Sequence, residues 1–80
     1  MLLFEKDGIK MRTIILEPGE EIPPCEMKTR GVFQVLEGGL NISVNDGTHP
    51  LSEGFCLVSE PATISMRSDN GSRLLGIQIA

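Results

Sequence analysis

Two soft donors stand two residues apart in this chain, at Cys25 and Met27. On an extended segment residues at that spacing share one face, and a thiolate with a thioether suits Cu(I) rather than harder ions. Fe(II), Mn(II) and Zn(II) take imidazole and carboxylate donors. The chain has one histidine, His49, in the turn-rich stretch Asn45-Asp46-Gly47-Thr48-His49-Pro50. A histidine there reads as a solvated loop residue. A nucleophilic role for Cys25 needs a base beside it, and a buried apolar setting would raise its pKa and leave it inert. Glu20, Glu21 and Glu26 offer carboxylates for acid–base work. Glu26 alternates with Cys25 and Met27 and so points the other way, which makes surface carboxylates the expected role. Arg67 and Arg73 offer cations to an anionic ligand, but isolated strand arginines are usually solvated or paired. Thioethers fill cores far more often than they hold metal, so packing is the expected role of the methionines.

The elements that position these residues are short and extended. Leu2 to Lys6 and Ile9 to Leu16 are apolar segments on either side of Asp7-Gly8, a tight-turn pair. Ile9, Met11 and Thr13 alternate with Lys10 and Arg12, the period-2 sign of a half-buried strand. Ile14-Ile15-Leu16 is continuous, as where both faces are covered. Pro18-Gly19 ends this run, and Pro23-Pro24 keeps the next one extended. Strands are expected through Cys25 to Thr29, Val32 to Leu36 and Leu40 to Val44, with Gly38-Gly39 separating the last two. Asp46-Gly47 is expected to form a two-residue hairpin turn returning through Thr48 to Leu51. Phe55 to Ser59, Thr63 to Ser68 and Leu74 to Ala80 complete the set, with Asp69-Asn70-Gly71-Ser72 as a further turn and Phe33 and Phe55 as core residues. No stretch holds a helical period over three turns. Short strands with turn signals every 8–12 residues indicate an all-β sandwich or barrel.

Composition narrows the function classes. Eighty residues, 40 % of them hydrophobic, make one small domain (1–80) without linkers or repeats. Seven basic against eleven acidic residues give −4 with no basic stripe, so no nucleic-acid partner is expected. No apolar run approaches the roughly 20 residues that span a bilayer. The start, MLLFEKDG, has too short an apolar stretch for a secretory signal, so the expectation is a cytoplasmic protein with no membrane partner. Cys25 and Cys56 are then expected to be thiols.

Glu17 to Gly38, EPGEEIPPCEMKTRGVFQVLEG, carries a spacing between Gly19 and Gly38 that resembles the first motif of the cupin superfamily. Val35-Leu36-Glu37-Gly38 is similar to that family's VLEG, and Leu40 to Val44, Asp46-Gly47, Leu51, Gly54, Pro61 and Arg73-Leu74-Leu75 follow in the family's order. The resemblance covers Ile14 to Ile79 and implies a cupin-like jelly-roll β-barrel with a small cavity. Cupins of the usual kind hold a divalent metal through three histidines and a carboxylate. The resemblance puts Cys25 and Met27 at the first two histidine positions and Gly31 at the carboxylate position. The last histidine falls on Ser65, or on Met66 if one residue is inserted after Gly54. The second register points Ile64 and Met66 inward together and is preferred.

No metal and no other cofactor is therefore expected. Cys25, Met27, Phe33, Ser65 and Met66 are the candidate ligand-binding residues of the barrel interior. The expected function is a metal-free binding, sensing or subunit module for a small neutral or apolar ligand, without catalytic residues. One alternative is a metal-dependent isomerase, dioxygenase or decarboxylase with unusual ligands. Another is a Cu(I) binder using Cys25, Met27 and Met66. A chain this short has more apolar surface than its interior can hold, so a homodimer is expected, with the N-terminal strand at its interface.

Overall fold

The computed structural model describes residues 2–80. Alternation and turn chemistry produce eight antiparallel strands: β1 (Leu2–Lys6), β2 (Ile9–Leu16), β3 (Glu21–Met27), β4 (Arg30–Val44), β5 (Gly47–Ser52), β6 (Cys56–Ser59), β7 (Ala62–Arg67) and β8 (Ser72–Ile79). Among the described residues there is no helix, and so none long and apolar enough to cross a membrane. The strands form one curled sheet with two halves that face each other. The first half runs β1-β2-β8-β4-β6 and the second β3-β7-β4-β5, with β4 passing through both.

β4 corrects the sequence reading. The two strands expected on either side of Gly38-Gly39 are a single strand of 15 residues. Its first part pairs with β8 and β6, and its second part with β7 and β5. Two features turn the strand. Leu36 is an extra residue between the pairs Val35–Leu74 and Glu37–Arg73, and Gly38 has φ +75°. A bulge bends and twists its strand, and positive φ suits glycine. A side chain at Gly38 would also run into the carbonyl of Gly71. The corner is braced by Ser68, fully buried, whose hydroxyl donates to the Gly39 carbonyl at 2.7 Å.

Of two tight turns, one matches expectation and one does not. Asp7-Gly8 is a two-residue tip with both φ values positive (53° and 81°), as a type I′ turn requires. The β4–β5 tip is Asn45-Asp46 rather than Asp46-Gly47, since Val44 pairs with Gly47. Asn45 takes the positive φ (54°) and is held to β7 by two bonds. Its amide donates to the Thr63 carbonyl at 2.8 Å, and its Oδ1 accepts from the Thr63 amide at 3.1 Å. These contacts select the earlier tip. His49 is consequently on strand β5, exposed and paired with Ile42, and not in a loop.

The core is Leu16, Phe33, Val35, Leu40, Ile42, Ile64, Met66 and Leu74, contributed by both halves. Phe55 is a correction: it precedes β6, is 62 % exposed and packs in no core. β2 is another. Arg12, Ile14 and Leu16 share the inner face, which places Ile9, Met11 and Thr13 outside. The period-2 signal was present, with the apolar set on the outer side of the sheet.

Candidate ligand-binding cavity

The inner faces of the two halves part at one seam, where β3, an edge strand, lies opposite β2 and β8. Pro23-Pro24 suits such an edge, because proline donates no ladder hydrogen bond. Between the pairs Ile22–Met66 and Cys25–Ile64, β3 carries one more residue than β7. This bulge turns both Ile22 and Cys25 inward. The seam opens on a cavity of about 220 Å³. Its walls are Ile22, Cys25, Met27, Ile64 and Met66 from the second half and Ile14, Phe33 and Gly76 from the first. Arg12, Gln78 and Glu26 add polar groups.

Four of the five residues singled out from the sequence thus line one cavity: Cys25, Met27, Phe33 and Met66. Ser65 does not. It is half-buried on the opposite face of β7, beside Asn41, Ser43 and Thr48. Ile64 and Met66 are buried inward, which is the register with the inserted residue. Cys25 departs from expectation too, being exposed at the mouth rather than enclosed. Its Sγ reaches only the neighbouring Glu26 carbonyl, at 3.9 Å. His49 lies at the other seam, with Val44, Leu57 and Ala62, so thiol and imidazole are not brought together.

The donor set does not fit the metal of ordinary cupins. Cys25, Met27, Gly31 and Met66 supply no imidazole and no carboxylate at the four positions. Among the described residues no group of three or more His, Cys, Asp or Glu side chains could hold an ion. At Gly31 the space is already taken. A Cβ there would lie 2.5 Å from Met27 Cε and 3.1–3.2 Å from the Phe33 ring. Thioether and phenyl occupy the volume where a carboxylate side chain would stand.

The remaining candidates are accounted for on the surface. Glu20 Oε1 accepts from the Glu17 amide at 3.0 Å and closes the turn before β3. Arg67 meets Asp69 at 3.1 Å and Glu21 at 3.9 Å, and Arg73 meets Glu37 at 2.8 Å. Arg30 pairs with Glu60 at 3.1 Å. Of the four arginines, only Arg12 has no carboxylate partner among the described residues, and it is the one that lines the cavity. Sequence reasoning passed over Arg12 and Gln78. The parity of Ile14 and Leu16, two and four residues after Arg12, was the available signal.

A curled antiparallel jelly roll with a cavity opening at one seam is the architecture of the cupins, and solved structures confirm the match. A cupin superfamily protein of Desulfitobacterium hafniense superposes with a TM-score of 0.90 over 99 % of this chain and 73 % of its own, at 19 % identity. The Cnp3 cupin domain of Schizosaccharomyces pombe gives 0.90 at 16 % identity, and this chain, covered completely, spans 62 % of it. A cupin-2 domain protein of Shewanella frigidimarina gives 0.83 at 21 % identity, over 100 % of this chain and 78 % of its own. No family model matches the sequence. No curated protein matches it either. The chain has the cupin fold.

Proposed function

We propose that the protein is a metal-free, cytoplasmic cupin-like binding or sensing module. Its ligand is a small, mainly apolar molecule with one polar or anionic end. The observation that carries this reading is the cavity itself: an apolar wall faced by one amide and by one arginine that has no carboxylate partner among the described residues. Small-ligand sites have this character, mostly hydrophobic with a few polar groups that fix orientation. At about 220 Å³ the space is below the usual 300–1,000 Å³, so the ligand is fragment-sized. Arg12 is a planar fork suited to a carboxylate, and Gln78 both donates and accepts. Glu26 on the opposite lip disfavours a ligand with several negative charges.

Thermal denaturation with hexanoate, octanoate and the matching alcohols tests this. Saturation at ten times Kd contributes about 1.4 kcal/mol, a rise of several degrees in a domain of this size. Arg12→Met is expected to weaken the carboxylates and leave the alcohols unchanged. No shift with any of them, or equal shifts in an Ile22→Trp variant that plugs the cavity, rejects the reading.

A second reading rests on Cys25, Met27 and Met66 lining the same cavity, a sulfur set that suits Cu(I). Titration against a chromophoric Cu(I) chelator under reducing conditions separates the two. The metal-free proposal expects the chelator to keep the copper, with Cys25→Ser unchanged. An iron-, manganese- or zinc-dependent enzyme would need donors these four positions lack, and stoichiometric metal after reconstitution would overturn the metal-free reading.

A further inference from the structure

We propose that the ligand of the cavity is an N-acylated apolar amino acid, whose amide crosses Gln78 into a second chamber at the rim of the barrel. This ligand class rests on the binding role proposed above and extends it from one polar group to two. Gln78 is half-buried and stands in the walls of both spaces. On one side of it is the apolar cavity of about 220 Å³, and on the other a polar chamber of about 270 Å³. The β1–β2 turn, Lys10 and Thr29 bound that chamber. Among the described residues the Gln78 side-chain amide has no hydrogen-bond partner. Thr29 Oγ1 is buried and has none either. Buried hydroxyls are nearly always satisfied, so an orphaned one calls for a partner. A staggered step in χ1 moves Oγ1 without the loss of any existing bond, which leaves it free to turn toward a group in the chamber.

The order of groups along the sheet selects this chemistry. From core to rim the paired levels of β2 and β8 run Ile14–Leu74, Arg12–Gly76 and Lys10–Gln78, each about 7 Å from the next. The first level is apolar, the second offers a guanidinium and the third an amide. Gly76 leaves room for the Arg12 stem, whose Cγ would lie 3.8 Å from a Cβ at that position. A carboxylate held by Arg12 therefore has the apolar wall on one side and Gln78 on the other. A ligand that uses all three levels has one carbon bearing an apolar side chain, a carboxylate and a third arm. That is the connectivity of an α-amino acid. The third arm meets Gln78, which both donates and accepts, as a secondary amide does. Charge argues against a free ammonium there. Lys10 pairs with Glu5 at 3.6 Å, and Lys6 and Asp7 add one charge of each sign, so the charged side chains of the chamber balance. A neutral acyl group suits such a chamber better than a further ion.

Isothermal titration calorimetry with 4-methylpentanoate, leucine and both enantiomers of N-acetyl-leucine, which share one side chain, is the test. One enantiomer of N-acetyl-leucine is expected to bind about 10-fold tighter than 4-methylpentanoate, the gain from two added hydrogen bonds. The other enantiomer is expected to lose that gain, because three arms in three fixed directions distinguish mirror images. Leucine is expected to bind no tighter than 4-methylpentanoate. In Gln78→Leu the advantage of N-acetyl-leucine over 4-methylpentanoate should vanish, and in Thr29→Val it should fall about 3-fold. Each ratio is read within one variant, so a general loss of folding does not imitate it. Binding of 4-methylpentanoate with no gain from the acetamido group overturns this ligand class and leaves the binding role standing. Leucine as the tightest ligand overturns it in favour of a zwitterion. An advantage that survives intact in Gln78→Leu overturns it as well. A wild-type protein that binds none of the four overturns both the ligand class and the binding role.

Discussion

The two half-sheets share an inner core and differ in what they show outside. The first presents Phe4, Met11, Ile77, Val32 and Val58 in one row. The second presents Thr48, Ser43 and Ser65, paired in register, with Ser43 and Thr48 hydroxyls 3.1 Å apart. Next to that row stand Asn41, Arg67 and Glu21. A sheet with one face on a core and the other in water alternates apolar-in, polar-out. The second half obeys this rule. The first is apolar on both faces, and its polar inward residues, Arg12 and Gln78, sit where the cavity opens. The contrast teaches that hydrophobic alternation reports burial against something, without saying whether that is the chain's own core or another surface.

The strongest way to probe the contrast is to truncate β8 on each side. Leu74 is fully buried in the shared core, and Leu74→Ala is expected to cost about 3 kcal/mol. In a chain this small that is a large part of the whole stability. Ile77→Ala, on the outer side of the same strand, should cost under 1 kcal/mol at low protein concentration. Its penalty should grow as concentration rises, because association stabilises by mass action. Chemical denaturation at 2 and 200 µM distinguishes them. Equal, concentration-independent losses would mean that the outer face is not an interface.

Next in size is the joint between the halves. Ser68→Ala removes the bond to the Gly39 carbonyl and leaves that half-buried acceptor without this partner. A loss of about 1–2 kcal/mol is expected. Denaturation midpoints with unchanged m-value would support this. A loss below a few tenths of a kcal/mol would show that the corner rests on Gly38 alone.

Much of the fold was legible because turns and alternation are local. Asp7-Gly8, the extended course through Pro23-Pro24 and the inward pair Ile64 and Met66 all follow from neighbours in sequence. What was misread depends on partners far along the chain. Gly38-Gly39 looked like a strand end, since nothing local shows that β7 and β8 wait on either side to pair with one continuous strand. The turn tip moved to Asn45 because of Thr63, eighteen residues away. The alternation of Ile9, Met11 and Thr13 with Lys10 and Arg12 marks a strand without saying which set faces the core. The parity of β2 is decided instead by Ile14 and Leu16, which are needed in the core. The placing of Cys25, Met27 and Met66 around one cavity followed from strand parity, while the exposure of Cys25 reflects an edge strand that only the topology reveals.

The smallest effect is expected on the polar face, and it is the cleanest control. Ser43→Ala removes one hydroxyl from the pair with Thr48, on a surface where water replaces the lost partner. Cross-strand polar pairs contribute about 0.2–1 kcal/mol, and exposed ones fall at the low end. Alanine also gives up a little strand preference, so a loss of about 0.5 kcal/mol is expected. In a domain of this size that is about 2–4 °C in Tm. The mass in solution should not change, because the substitution lies on the half-sheet turned away from the apolar outer row. Calorimetry and sedimentation on the same sample read both quantities. A loss above 1.5 kcal/mol, or a change of mass, would mean that the hydroxyl row is itself covered. The difference between the two outer faces would then no longer separate a solvent face from a docking one.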